Sequence, residues 1–319
     1  MDADPDGVDS ACESLASEHR LLQYVGRETW PDGTIQSRYA FRHVLFQHAG
    51  LARNTAATVR ARHRRIAERL ETGYVGHEEE VAGELALHFE HGQLPARATL
   101  YHVLAGEGAA RRWGYQEAAA HHEHAHAILD RTPESRDRDV LELRNLLGHG
   151  WSLLGSGRAD VAVPSLQRAK EIAGRLEDKA SLGRALICLE VVLLSQGDLR
   201  GATEQVRALA PVFDHVSDVA VRLLAKQVEA TTVLFRGQFE EACRLLGALG
   251  VFRAIEEKTE MEAARSHLLA LSMGTFALWL RGEPDRAVAL SRQAQRVAEQ
   301  AYYPLEQAAM LGDGALLHA

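Results

Sequence analysis

Apolar residues recur along much of the chain at the three- and four-residue spacing of an amphipathic helix. Polar residues fill the positions between them, and short turn-like stretches separate one apolar segment from the next. The alternating, β-branched pattern typical of strands is rare. The clearest apolar helices are predicted at residues 143–154, 182–194, 219–234 and 263–280. The chain is therefore predicted to be all-α.

Each of these helices is followed by the same signature. It consists of a glycine, an apolar residue or proline two positions later, and an alanine five positions after the glycine. The glycines are 40, 40 and 45 residues apart, and a weaker copy with Trp113 in the glycine place lies 44 residues before the first. The four full copies are Gly157, Ala159 and Ala162; Gly197, Leu199 and Ala202; Gly237, Phe239 and Ala242; and Gly282, Pro284 and Ala287.

The glycine and the alanine of the signature have separate tasks. Glycine adopts the left-handed conformation that ends a helix at little cost. The alanine begins a second helix, and we expect its small side chain to face the first helix and let the two backbones approach closely. Because one such hairpin cannot bury its own apolar face, neighbouring hairpins must stack to form a core.

This skeleton resembles the tetratricopeptide repeat (TPR). The chain departs from that family in its longer period, since the family repeats every ~34 residues, and in the scarcity of a closing proline, although Pro211 and Pro304 lie near its place. The resemblance implies a TPR-like α-α superhelix, a solenoid of helical hairpins whose concave groove holds a protein or peptide partner.

The amino-terminal part has a different pattern. A helix is predicted over residues 12–25, a tight turn over 30–34, a short strand over 35–41 and another helix over 42–50. A turn between two short extended segments, flanked by helices, is typical of the last part of a winged-helix domain.

Taken together, these segments resemble the C-terminal region of bacterial STAND and AAA-type signalling ATPases, which are often associated with adenylate-cyclase or transcription-factor domains. The resemblance is most specific at residues 39–43 and in the arginine-rich helix at 62–71. It implies a winged-helix-like remnant at residues 1–58 and a helical linker at 59–112. A TPR-like sensor array of about five hairpins, the last incomplete, then occupies residues 113–319.

The ATPase module of that family has no counterpart in this sequence. No G-x-x-x-x-G-K-[ST] motif occurs, so the phosphate-binding loop is absent. We expect a separate or truncated C-terminal part of such a protein, which does not hydrolyse ATP and needs no cofactor. An ATPase or cyclase effector, in the same polypeptide or separately encoded, is then a candidate partner.

The composition indicates which kinds of partner and which cellular location to expect. The formal net charge of −8 argues against nucleic acid, because binding phosphates needs a basic surface. The arginines between residues 60 and 69 are interrupted by Glu68, and we expect them to form a solvated helix face. Three distant cysteines, no apolar run of ~20 residues, and an acidic start unlike a signal peptide favour a cytoplasmic protein without a membrane span.

One motif suggests catalysis. His122, Glu123 and His126 satisfy H-E-x-x-H, in which two histidines one helical turn apart hold zinc and the glutamate acts as a base. No third ligand follows at the usual spacing, and sixteen histidines make a chance match easy. No catalytic or metal site is therefore assigned, and His122 and His126 remain candidates.

Three functions follow from these patterns. The leading hypothesis is a non-catalytic protein-binding and sensor module of a bacterial signalling ATPase, with the repeat glycines and alanines as structural positions. A zinc-dependent hydrolase built on His122 and His126 is the alternative from another class. A transcriptional regulator that uses the winged-helix remnant is the third.

Overall fold

The computed structural model describes residues 5–18, 21–52, 54–213, 219–251 and 268–301, and the chain divides into two compact units, residues 1–156 and 157–319. Unit 1 begins with helix α1 (Pro5–Ser17), strands β1 (Leu22–Thr29) and β2 (Ile35–Phe41), and helix α2 (Val44–Ala52). Five further helices follow: α3 (Ala56–Gly73), α4 (Ala82–His91), α5 (Pro95–Arg111), α6 (Tyr115–Leu129) and α7 (Arg136–Gly155).

The two strands form an antiparallel hairpin that pairs Leu22 with Phe41 and Thr29 with Ile35. The predicted strand over 35–41 is confirmed, but the predicted helix over 12–25 is wrong in its second half. Helix α1 ends at Ser17, and residues 22–25 belong to β1. The apolar residues of this segment are spaced ambiguously, and pairing with β2 decides in favour of a strand.

Trp30 fixes the hairpin to the helices that follow. Its side chain is 9% exposed and packs in one core cluster with Ala67, Leu70 and Tyr74 of the α3 region. The main-chain N–H of Asp32 also donates to the carbonyl of Gly73 at 3.2 Å. The hairpin and the helical part of unit 1 therefore share a core.

Helices α3 to α7 pack in sequence, each against the next along α3–α4, α4–α5, α5–α6 and α6–α7. Helix α5 begins at Pro95, whose fixed φ suits the first turn. Helix α7 is capped by Ser135, whose hydroxyl accepts from the N–H of Arg138 at 3.1 Å. These start signals explain where α5 and α7 begin.

Unit 2 also consists of helices that pack in hairpins. Helix α9 packs against α8 and α10, and α13 packs against α14, around aliphatic clusters centred on residues such as Leu186, Leu209, Leu246 and Leu278. Its helices are α8 (Ala162–Leu176), α9 (Lys179–Ser195), α10 (Leu199–Phe213), α11 (Val219–Phe235), α12 (Phe239–Ala248), α13 (Leu268–Leu280) and α14 (Pro284–Ala301).

The predicted fold class, an all-α, TPR-like array of helical hairpins with a small N-terminal element, is confirmed. The helices predicted at 143–154, 182–194 and 219–234 lie inside α7, α9 and α11. The helix predicted at 263–280 is found from Leu268 onward, and residues 263–267 lie outside the described residues. Within the described ranges, none of the helices combines the length and apolarity needed to cross a membrane.

The predicted boundaries after residues 58 and 112 remain predictions. Helix α3 runs across the first boundary, and the second falls in the turn that joins α5 to α6.

Candidate functional site

The repeat positions adopt the conformation that the signature predicts. The four turn glycines have φ values of +77° at Gly157, +78° at Gly197, +76° at Gly237 and +90° at Gly282. Each alanine five positions later is fully buried; these are Ala162, Ala202, Ala242 and Ala287, all at 0% exposure. An extra methyl group at any of these alanines would therefore meet packed neighbours.

The hydrogen bonds of the turn explain why glycine occupies this position. At the second turn, the N–H of Asp198 donates to the carbonyl of Leu193 at 2.9 Å, which closes a Schellman-type helix end. In the last turn, the N–H of Glu283 donates the equivalent hydrogen bond to the carbonyl of Leu278 at 2.9 Å.

Among the described residues, three that are not glycine take the same left-handed conformation: Gln93, Trp113 and Glu177, which follows α8. Trp113 has φ of +64°, and its turn is closed by a bond from Gly114 N–H to the carbonyl of Ala109. The weaker copy of the signature at Trp113 is thus a true helix stop. Gln93 has φ of +56° in the turn between α4 and α5, directly after Gly92.

An apolar cavity of about 450 Å³ lies in unit 2 beside the turn that contains Gly237. Phe235 and Leu280 at its edge are 56% and 52% exposed, although both are large apolar side chains. Exposed apolar groups gathered around a concavity indicate a binding surface more strongly than the same groups scattered singly. The lining side chains are Leu234, Phe235, Phe239, Met273, Phe276 and Leu280.

Charged residues near this cavity are paired with each other. Glu283 accepts from Arg281 and, at 2.5 Å, from Arg286, and its hydrogen bond with Arg281 lowers the pKa of its carboxyl. Arg244 forms two hydrogen bonds with Glu241. These ion pairs neutralise one another locally, and the lining of the cavity is apolar.

His122 of the H-E-x-x-H motif lies in the core of unit 1. It is 0% exposed, and its Nδ1 is 2.9 Å from Oδ1 of Asn145, whose Nδ2 in turn donates to the His122 carbonyl at 3.1 Å. Since an amide oxygen only accepts, Nδ1 carries the proton. Burial lowers the pKa of His122 to about 4, so the ring is neutral.

The ring of His122 fits between two helices because both carry glycine at that level. A Cβ at Gly106 of α5 would lie 2.7 Å from the ring, and one at Gly148 of α7 would lie 2.5 Å from it. The other residues of the motif have different surroundings. His126 is half-exposed with Nε2 3.7 Å from Asp130, and Glu123 lies 3.9 Å from Nε2 of His149.

A separate group of side chains with the chemistry of metal ligands lies where three helices of unit 1 meet. Among the described residues, Glu90, His102 and His124 form a set of three whose ligand atoms all lie within 4.8 Å of one another. His102 is 5% exposed, and burial lowers the pKa of its imidazole. Sequence reasoning missed this group because its members are far apart in the chain and share no motif.

The arginine-rich helix α3 is only partly a solvated face. Arg64 donates to the carbonyl of Gly92 at 2.5 Å, and Arg69 pairs with Asp32 at 2.8 Å while lying 4.6 Å from the ring centroid of Trp30. These two arginines hold the hairpin and the α4–α5 turn in place.

Within the described part of unit 2, one glutamate side chain is buried. Glu190 of α9 is 1% exposed and accepts a hydrogen bond from the hydroxyl of Thr232 on α11. Burial raises the pKa of Glu190 to about 7.

The chain resembles solved structures of other proteins but matches no protein family. No protein-family model matches the chain, and no curated protein matches it. Similar solved structures include TPR-like repeats of a kinesin light chain-like protein from Podosopora anserina, with TM-score 0.48 and 21% identity over 66% of this chain and 99% of the other. A single-residue variant of that protein gives TM-score 0.49 and 19% identity over 65% and 97% of the two chains. At this identity the similarity does not indicate a shared function.

Proposed function

We propose that the chain is a non-catalytic protein-binding scaffold, and that the apolar cavity of unit 2 receives an anchoring side chain from a partner peptide or helix. The observation that carries this proposal is the exposure of Phe235 and Leu280 at the edge of that cavity. Large apolar side chains in such a position lose water contact only when a partner covers them.

The partner is expected to present one aromatic or aliphatic side chain to the cavity. Peptide helices bind grooves through a few apolar anchors, and most of the binding energy of an interface comes from such buried anchors. The paired charges of Glu241, Arg244, Arg281 and Glu283 leave little net field to select a strongly charged ligand.

A phage-displayed library of random peptides, selected on the full chain, tests this proposal. The recovered peptides should share an apolar anchor, and Phe235→Ser should weaken their binding about tenfold or more, as expected for a contact at an interface anchor. Val161→Ser is the matched control, because Val161 is 44% exposed in the same unit and does not line the cavity. Peptides that bind Phe235→Ser as tightly as the unchanged chain would contradict the proposal.

We further propose that this scaffold is the sensor region of a bacterial STAND or AAA-type signalling ATPase in the cytoplasm. The support is the sequence resemblance at residues 39–43 and 62–71, together with a helix, a hairpin and a second helix at the start of the chain. The proposed division is residues 1–58, 59–112 and 113–319, with an ATPase or cyclase as effector.

An immunoblot of source cells with an antibody against the repeat region tests this context. A band far above the 35.1 kDa of this chain would support a larger ATPase. A band at that size, with no ATPase recovered by affinity capture, would contradict it.

The zinc-hydrolase alternative receives no support from the surroundings of its motif. Its first histidine, His122, is held by Asn145 in a closed slot between glycines, whereas His126 lies near the surface beside Asp130. The transcription-regulator alternative gains no support either, because Arg64 and Arg69 of the basic helix are engaged within unit 1.

A further inference from the structure

Three consecutive helices of unit 1 bring a carboxylate and two imidazoles to one point. Glu90 lies in the last turn of α4, His102 in the middle of α5 and His124 on α6. Oε2 of Glu90 is 3.1 Å from Nε2 of His102 and 3.9 Å from Nδ1 of His124.

These separations suit a first-row divalent ion. Zinc binds imidazole nitrogen and carboxylate oxygen at ~2.0–2.2 Å in a tetrahedral arrangement, which places neighbouring ligand atoms about 3.3 Å apart. The separation of 3.1 Å between Glu90 and His102 is close to that value, and Nδ1 of His124 lies 3.9 Å from Glu90 on a side chain that is 61% accessible.

A fourth residue completes the pattern of a metal-bound histidine. Nδ1 of His102 is 3.1 Å from Nδ1 of His121, on the side of the ring opposite Glu90. When Nε2 of His102 is the ligand, Nδ1 carries the proton and donates a hydrogen bond to Nδ1 of His121. Such an outer partner fixes the tautomer and orientation of metal-bound histidines in known sites.

The donor set also indicates which ion would bind. Two imidazoles and one carboxylate suit zinc, cobalt, nickel or copper, whereas magnesium and calcium prefer oxygen ligands alone. Glu90 and His124 are partly exposed, so an ion can enter from solvent while His102 anchors the site from the core.

We propose that Glu90, His102 and His124 bind one divalent transition-metal ion of the zinc type, with His121 as the positioning residue for His102. The ion ties α4, α5 and α6 together and leaves one coordination position for water or for a group from a partner. None of the defining residues of the H-E-x-x-H motif, His122, Glu123 and His126, belongs to this site, although His124 lies between them in the chain. The site does not depend on the proposed partner-binding cavity.

Metal titration of the untagged full chain, stripped with a chelator, tests the proposal. Cobalt absorbance and zinc competition should show one ion per chain, and His124→Ala and Glu90→Gln should each weaken binding by at least about tenfold. His121→Gln should weaken binding by about 10- to 100-fold, in the range measured for outer partners of metal-bound histidines.

His126→Ala is the matched control, since His126 is on the same helix and its side chain is 45% exposed. Cobalt binding should be unchanged in this variant. Sub-stoichiometric binding, or binding insensitive to both His124→Ala and Glu90→Gln, would overturn the proposal. Loss of the ion in His126→Ala would also overturn it, and would return the site to the H-E-x-x-H motif.

Discussion

Among the described residues, the least exposed ionisable side chain is a histidine in unit 1 and a glutamate in unit 2. Thirteen of the sixteen histidines precede residue 157, and unit 1 encloses His122 completely between α5 and α7. Unit 2 instead encloses Glu190, against Thr232. Burial favours the neutral form of each group, so it lowers the pKa of the histidine and raises the pKa of the glutamate.

Glycine serves two different purposes in this fold. In unit 1, Gly106 and Gly148 lie inside helices and clear space for the ring of His122. In unit 2, Gly197 and Gly237 lie at helix ends with positive φ, and a Cβ there would meet nothing within 4 Å. The comparison shows that a glycine count says little until each glycine is assigned to a packing or a backbone role.

The largest expected difference between the units is their response to acid. The pKa of His122 is about 4 in the folded chain, below the 6.5 of an exposed histidine, so the unfolded state binds more protons between these values. Unit 1 should therefore lose stability as pH falls from 6.5 to 4, by about 3 kcal/mol for this residue alone. Asn145, His149, Glu107 and His121 surround the ring and contribute to its pKa.

Hydrogen exchange resolved by peptide, in chelator, measures this loss in α5 to α7. His122→Gln should flatten the pH dependence, while His126→Gln, at a half-exposed position, should leave it unchanged. An unchanged slope in His122→Gln would assign the acid response to other groups.

Unit 2 should respond in the opposite direction over a similar range. The pKa of Glu190 is about 7 when folded and 4.5 in its ordinary state, so the folded state binds more protons between these values. Stability that is present below pH 4.5 is therefore lost as pH rises to 7, by up to about 3 kcal/mol. Hydrogen exchange of the amides in α9 and α11 measures this loss of stability.

Glu190→Gln keeps the shape and the acceptor for Thr232 but cannot ionise. It should remove this dependence and make unit 2 more stable than the unchanged chain at pH 8. Glu171→Gln, at a 67% exposed position of α8, is the control and should have little effect. If Glu190→Gln destabilised unit 2 at pH 8, the glutamate would have to be ionised and paired there.

The smallest expected effects separate the helical glycines. Gly148→Ala places a methyl group 2.5 Å from the ring of His122 and should cost roughly 1–3 kcal/mol through overpacking. Gly174→Ala, in helix α8 with open space around its Cβ, should instead stabilise by about 0.5–1 kcal/mol. Urea denaturation gives the free energy of unfolding of each variant. If Gly148→Ala raised it, the close packing of His122 would be contradicted.

Local signals in the sequence account for what could be predicted. The stop glycines and the buried alanines, such as Gly197 and Ala202, depend on residues within five positions of each other. The contacts of Glu90 with His102 and of Glu190 with Thr232 depend on pairs 12 and 42 residues apart, for which no periodicity exists. Strand β1 was missed for the same reason, because its pairing with β2 decides its conformation.

The shared helix stop has a consequence for how such a chain can change in length. Gly197 and Gly237 end the first helices of two successive hairpins with nearly equal φ values, 40 residues apart. A segment cut at these two points begins and ends in the same backbone conformation and carries its own buried alanine. Duplication or deletion of that segment therefore preserves both junctions, so the array can be lengthened or shortened in whole repeats without redesigning a turn.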